Sequence, residues 1–232
     1  MRLDKLLANK AFGSRKEVHQ IIKDRRVTIN GEITTKKDIH IDIDIDTVAV
    51  DGQTVNTTQL YYVKFHKPKG YLTAVEDSTH PVVMDLLPPE YLKMGVVPVG
   101  RLDKDTEGLL LLTNDGVWGH SIINGHKHVP KVYYVEFEGE LSEEGIQRIK
   151  EGIVLGDGTQ CKPALIELLS DQSATITIEE GKYHQVKRMI GAAGGTVTYL
   201  KRLTIGHVDL SGIEEVGSVM DLTIDDVEGF KK

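Results

Sequence analysis

Four consecutive leucines, Leu109, Leu110, Leu111 and Leu112, standing between Gly108 and Thr113, restrict the fold of this chain more than any other feature. Adjacent side chains on a strand point to opposite faces, so an unbroken apolar run marks a strand buried on both. Such a strand holds the loop before it rigidly. That loop, Gly100-Arg101-Leu102-Asp103-Lys104-Asp105-Thr106-Glu107, carries three acids within five residues, and Gly100 and Gly108 let it turn tightly. A carboxylate fixed at the end of a buried strand is a reasonable catalytic group, and Asp103 is the candidate; acids in such loops also serve as caps and turn formers.

The elements around this strand do not alternate strictly. Residues 61–66 read as a strand running into the turn Lys67-Pro68-Lys69-Gly70, and residues 131–138, 174–179, 196–205 and 218–224 have β-branched or alternating character. Helices are expected at residues 142–151, where Ser142 can cap, and at about residues 183–193. Runs of strands interrupted by a few helices define an α+β class. The expected architecture is a small N-terminal α/β domain with its linker, residues 1–58, followed by a mixed, largely antiparallel sheet in residues 59–232.

Two further segments carry reactive or binding side chains. In Lys131-Val132-Tyr133-Tyr134-Val135 the adjacent tyrosines must face opposite sides of a sheet, so one belongs to the core and the other is free to stack on a base. In Glu180-Gly181-Lys182-Tyr183-His184-Gln185-Val186-Lys187-Arg188-Met189 a basic cluster opens a helix. Lys187 or Arg188 could pair with a buried carboxylate, keep it ionised and bind a phosphate with its remaining donors. The same residues also fit a solvated helix start.

The chain has 28 Lys and Arg against 35 Asp and Glu, a net −7 that argues against a nucleic-acid partner until its distribution is considered. Residues 1–40 hold ten basic and five acidic side chains, and the other 192 residues carry a net −12. This asymmetry points to a separate basic module facing a polyanion, although a basic face is also an ordinary solvated surface. Ser14 and Glu17 have capping-box spacing ahead of Val18, Ile21 and Ile22, so residues 14–24 read as an amphipathic helix with Lys16 and Lys23 on its other face. Asn30-Gly31 then suits a tight hairpin turn after Val27-Thr28-Ile29. Arg25 and Arg26 fall at the junction, on the same side as Arg15 and Lys16.

No metal site is expected. Ile39, Ile41, Ile43 and Ile45 alternate with Asp42, Asp44 and Asp46 along an expected extended segment, but the glycine and terminal glutamate of a calcium loop are missing. An acidic face there would keep a polyanion from spreading beyond the basic patch. His120, His126 and His128 have no cysteine or carboxylate at a fixed spacing and read as RNA backbone contacts or plain surface. Cys161, the one cysteine, allows no intramolecular disulfide and no cysteine-based zinc site. No run approaches the roughly 18 apolar residues of a membrane span, and the first residues lack the apolar core of a secretory signal. A cytoplasmic protein without a membrane partner is expected, with the monomer as the default state.

Residues 1–48 resemble the small RNA-binding domain named after ribosomal protein S-four, through Arg2-Leu3-Asp4-Lys5-Leu6-Leu7, Ser14-Arg15-Lys16-Glu17 and Val27-Thr28-Ile29-Asn30-Gly31. That resemblance makes residues 1–58 a small N-terminal α/β RNA-binding domain with its linker. It implies recognition of structured RNA, with Arg2, Lys5, Arg15, Lys16, Lys23, Arg25 and Arg26 as the contacting cations. Over its whole length the chain resembles the pseudouridine synthases, in particular the RsuA branch that modifies small-subunit (16S) ribosomal RNA. The matching residues are Gly100-Arg101-Leu102-Asp103 with Thr106 and residues 108–116, Lys131-Val132-Tyr133, and the 180–189 segment.

The resemblance implies isomerisation of uridine to pseudouridine in ribosomal RNA, with residues 59–232 as the catalytic domain. Asp103 then matches the family's essential aspartate, Tyr133 the tyrosine that packs on the target base, and Lys187 the cation paired with the aspartate, while Arg101 and Arg188 contact RNA. Lys187 stands where other branches of the superfamily have arginine, which keeps the charge and loses the bidentate geometry. The reaction exchanges one bond to the sugar for another without redox change or net water. It implies no cofactor, in keeping with a sequence that lacks a nucleotide-binding glycine fingerprint. Asp105 and Glu107 are read as structural.

Two other readings stay open at this level: a synthase acting on large-subunit ribosomal RNA, and an RNA-binding ribosome-assembly factor that does not depend on catalysis. A hydrolase using Asp103 has no paired general acid. The basic module yields a direct prediction. Replacing Arg15, Lys16, Arg25 and Arg26 together weakens binding to ribosomal RNA and lowers the salt slope of the affinity by roughly one for each phosphate that is no longer neutralised, as filter binding across a salt series would register. An unchanged slope would remove this module from the binding surface.

Overall fold

The computed structural model describes the chain apart from residues 11, 44, 56, 58, 124–128 and 232 and the side chain of Asn9. Two of the histidines considered for a metal, His126 and His128, lie outside the described residues, as do Asp44 of the acidic alternation and Asn56 and Thr58 of the expected linker. The described residues form two compact units, Met1–Leu60 and Tyr61–Lys232.

In the first unit, helices α1 (Leu3–Asn9) and α2 (Arg15–Lys23) precede the antiparallel strands β1 (Val27–Ile29), β2 (Glu32–Ile33), β3 (Val48–Val50) and β4 (Gln53–Thr54), in the sheet order β2-β1-β3-β4. The expected capping box starts α2: the Ser14 side chain accepts from the Glu17 N–H, and Glu17 accepts from the Ser14 N–H. The helix ends because Arg25 turns left-handed at φ 62°, with its N–H donating to Ile22 and that of Arg26 to Ile21. This paired closure satisfies the last helical carbonyls and fixes where the two arginines leave the chain. Asn30 and Gly31 take φ of 52° and 84°, the geometry expected of the hairpin turn. Leu3, Leu6, Leu7, Val18, Ile22 and Val27 are buried between the helices and the sheet.

The isoleucine alternation does not form the expected extended segment. Ile41 is buried, Ile45 is 77% exposed, and the next strand begins only at Val48. A turn intervenes, in which the Asp46 carboxylate accepts from the Asp42 N–H and the Asn30 amide while the Asp46 N–H donates to the Asp42 carbonyl. Aspartate side chains offer the backbone local partners that compete with a ladder, and here that competition wins over hydrophobic periodicity.

The second unit is built on one mixed sheet. Its strands are β5 (Tyr62–Lys67), β6 (Val97–Val99), β7 (Glu107–Thr113), β8 (Lys131–Gly139), β9 (Leu165–Ser170), β10 (Ser173–Ile178), β11 (Gly195–Ile205) and β12 (Val219–Asp221). They run in the order β12-β5-β7-β11-β8-β10-β9, with β6 also paired to β7. All the pairings are antiparallel except β7 with β11, so the mixed, largely antiparallel α+β fold is borne out. The leucine strand β7 lies inside this sheet with all four leucines fully buried: Leu109 and Leu111 face one core, Leu110 and Leu112 another.

Helices α3 (Pro89–Lys93), α4 (Gly116–Ile123), α5 (Glu143–Glu151), α6 (Gln185–Ala192) and α7 (Ile224–Gly229) complete the unit. Ser142 caps α5 as expected, and α6 packs against β11 through the i, i+3, i+4 set Val186, Met189 and Ile190. The segment read as one strand from residue 218 to 224 divides into β12 and α7, because Thr223 and Asp226 form a capping box that starts a helix.

Gly108 is where the acidic loop enters β7. Its φ is 116°, and a Cβ there would lie 2.2 Å from the Arg202 carbonyl oxygen of the parallel strand β11. Gly108→Ala therefore combines a left-handed strain with a backbone clash, for an expected destabilisation of about 3 kcal/mol or more. Urea unfolding of the variant beside the wild type measures it, and equal midpoints would refute the close packing of β7 on β11.

Candidate active site

The 101–106 loop is held from several sides by its own main chain. The Lys67 side chain, at the end of β5, is fully buried and its ammonium donates to the carbonyls of Pro68, Asp103, Lys104 and Thr106 at 3.0, 3.1, 3.4 and 2.9 Å. Thr73 donates its hydroxyl to the Leu102 carbonyl at 2.7 Å and accepts from the Leu102 N–H at 3.1 Å. The Gly70 N–H donates to the Lys104 carbonyl, and the Thr106 N–H closes back on the Asp103 carbonyl. Burial pushes the Lys67 ammonium down to about 8, with the charges of Asp105 and Asp103 acting in the opposite direction. The group thus keeps its proton at neutral pH, and the turn of two lysines expected from the sequence is in fact one turn lysine and one internal clamp.

With its backbone fixed, the Asp103 carboxylate meets two groups from the 180–189 segment. Lys187 Nζ stands 3.1 Å from Oδ2, and His184 Nε2 lies 3.6 Å from Oδ1. Lys187 also donates to Asp105 at 2.5 Å, so one ammonium is shared by two carboxylates. Burial alone would lower the Lys187 proton affinity; its bonds to Asp105 and Asp103 outweigh this and raise it. Burial likewise raises Asp105, and the Lys187 bond outweighs that and lowers it. Asp105, expected from the sequence to be structural, is therefore part of this ion cluster, while Glu107 accepts from the Tyr199 hydroxyl at 2.9 Å and pairs with Lys201 at 3.2 Å.

Lys187 reaches Asp103 because of how α6 is seated. Gln185 is buried, donating to Glu180 at 2.7 Å and accepting from the Lys182 N–H at 2.9 Å. With Val186, Met189 and Ile190 in the core, helical geometry leaves Lys187 and Arg188 on the outer side. Arg188 takes a different partner: its guanidinium lies 2.5 Å from Asp157 and donates to the Tyr183 carbonyl.

Asp103 opens on a cavity of about 680 Å³ whose wall includes Leu102, Tyr133, Ile178, Leu200 and Arg202. Tyr133 is 8% exposed, and its neighbour Tyr134 lies on the other face of β8, ring edge against Tyr199. Both roles expected of the tyrosine pair thus fall to one residue, since Tyr133 is at once core and cavity wall. Beside it on the neighbouring strand β11 is Arg202, 3% exposed, with its Nε donating to the Leu109 carbonyl at 2.8 Å and its Nη1 to the Tyr133 hydroxyl at 3.4 Å. Arg202 Nη2 is buried with no hydrogen-bond partner among the described residues.

Neither Lys67 nor Arg202 stands out as a site residue in the sequence. Each stands in a strand that carries other basic residues, Lys67 after Lys64 and His66 and Arg202 beside Lys201, so no local signal singles it out. Arg101 is exposed at the cavity wall. In the other unit Lys5, Arg15, Lys16, Lys23 and Arg25 are exposed, whereas Arg2 forms a two-point pair with Asp4 and Arg26 another with Asp51. Among the described residues no group of three or more His, Cys, Asp or Glu could hold a metal ion, and no helix is long and apolar enough to cross a membrane.

A mixed sheet with an aspartate and lysine pair at the rim of a tyrosine-walled cavity defines a class with known members. The RNA pseudouridylate synthase family matches residues 61–192, and the S4 domain matches residues 1–42. The chain belongs to the RNA pseudouridine synthase family and is an isomerase of that kind, which bears out the resemblance read from its sequence.

Among its relatives is an uncharacterized RNA pseudouridine synthase of Bacillus subtilis, 44% identical over 227 residues, covering 96% of this chain and 95% of that one. The ribosomal small subunit pseudouridine synthase A of Escherichia coli is 34% identical, covering 98% of each, and that of Pasteurella multocida is 34% identical over the full length of both. A crystal structure of a pseudouridylate synthase superposes with a TM-score of 0.69 at 34% identity, covering 99% of each chain.

The shared ammonium makes a separable prediction. Lys187→Met leaves Asp103 and Asp105 without their common counter-charge, so turnover falls at least about tenfold, while stability changes by no more than about 1 kcal/mol. Single-turnover rates and urea midpoints measure the two quantities, and full turnover in the variant would refute the pairing as functional.

Proposed function

We propose that this synthase isomerises uridine to pseudouridine at a specific site in small-subunit ribosomal RNA. The observation that carries the reading is the Asp103 carboxylate, fixed by its own backbone and paired with Lys187 at 3.1 Å at the rim of the Tyr133-walled cavity. The likeness to the ribosomal small subunit synthases over nearly the whole chain supports the choice of RNA.

In this reading the target nucleotide leaves its stack and the uracil rests on the Tyr133 ring. The bond from N1 of uracil to C1′ of ribose breaks, the base turns within the cavity, C5 bonds to the same C1′, and the hydrogen on C5 leaves as a proton while N1 takes one up. Asp103 acts either by attacking C1′ or by taking a proton from C2′, with Lys187 as its counter-charge 3.1 Å away in both. The monomer is the working unit. Residues 1–58 serve as the RNA-binding domain and residues 59–232 as the catalytic domain. The bacterial relatives support a role in ribosome biogenesis in the bacterial cytoplasm.

The test uses small-subunit ribosomal RNA carrying 5-tritiated uridine, from which forming the new carbon bond must expel tritium. The wild type releases it, and Asp103→Asn releases none while binding the RNA within a few-fold. Release that survives the substitution would overturn the role of Asp103; release only from large-subunit RNA would overturn the substrate.

A further inference from the structure

We propose that Tyr183, stacked on His184 at the mouth of the cavity, is a platform on which a base flanking the target uridine stacks. Three observations meet at this point. Tyr183 is 75% exposed, an unusual position for an aromatic side chain with no apolar burial to gain. Its ring lies nearly parallel to that of His184, with centroids 3.9 Å apart and planes 18° apart. The backbone beneath is held in a costly shape, since His184 is left-handed at φ 47°.

That shape is held in place by neighbours. Arg188 donates its side chain to the Tyr183 carbonyl at 3.2 Å and its N–H to the His184 carbonyl, and Gln185 pins the residues just before. His184 lies against Asp103, so the order from the carboxylate outward is Asp103, His184, Tyr183. One face of the Tyr183 ring is covered by His184, and its exposure leaves the other for a ligand. A base laid there would lie on the far side of His184 and Tyr183 from a ribose at Asp103, the place of a neighbour in the strand. Arg101 and Lys104, both exposed and lining the same cavity, stand ready for the adjoining phosphates. Every base has a face to stack, so the platform serves position in the strand more than base identity.

The platform rests on the proposed function, and the experiment separates the two. Tyr183→Ala, Tyr183→Trp and the wild type are compared on small-subunit ribosomal RNA by direct filter binding and by tritium release. The expected result is binding about 5- to 100-fold weaker for Tyr183→Ala, seen as a higher KM with kcat within about twofold, and restored by Tyr183→Trp. Equal binding by Tyr183→Ala, or a loss that the tryptophan does not restore, would overturn the platform. A loss confined to kcat would overturn it too, since that would assign Tyr183 to the support of His184 and Asp103. If the wild type binds but releases no tritium, the function reading fails, and the platform is decided by the binding comparison alone.

Discussion

The buried ammonium of Lys67 is the interaction on which the catalytic unit depends. Burying a charge far from water is costly unless the surroundings compensate it, and here four main-chain carbonyls do so, three of them from the 103–106 loop. The compensation works in both directions. The carbonyls keep the ammonium stable, and the ammonium gathers a segment of loop that has no ladder of its own into one conformation. Gly70 and Thr73, in the segment that follows Lys67, add to the same grip.

This grip explains how a carboxylate can stay at the rim of the cavity without swinging away. The backbone of Asp103 is held from within, while its side chain is held from without by Lys187 on α6. Two lysines thus divide the work, one fixing position and the other charge. Arg202 does the equivalent for the opposite wall, tying Leu109 of the leucine strand to the hydroxyl of Tyr133. Gly108 is what lets β7 and β11 come close enough for Arg202 to serve both.

The first unit shows a different balance. Its basic character is a property of the sequence, but Arg2 and Arg26 engage their guanidinium groups with Asp4 and Asp51, while Lys5, Arg15, Lys16, Lys23 and Arg25 stand exposed. Exposed ion pairs of this kind contribute little to stability and are readily exchanged for a polyanion. Arg2 and Arg26 are themselves exposed, so a neighbouring carboxylate, and not burial, sets them apart from the other cations.

Periodicity and capping rules depend on neighbours in the chain, and what depends on them is legible in the sequence. The doubly buried leucine strand, the capped helix after Ser14, the Asn30-Gly31 hairpin and the largely antiparallel sheet all follow from local pattern. The isoleucine alternation misleads because the aspartates within it give the backbone nearer partners than a strand would. Asp103, Tyr133 and Lys187 are legible as a set through the family resemblance, and the structure brings Asp103 and Tyr133 to one cavity with Lys187 beside Asp103. Tertiary structure alone decides that Lys67 turns inward, that Arg202 stands beside Tyr133, that Asp105 shares Lys187, and that Arg188 is engaged by Asp157. The physical reason is that a charge's role is set by which distant groups surround it, and those groups come from segments that only the folded sheet brings together.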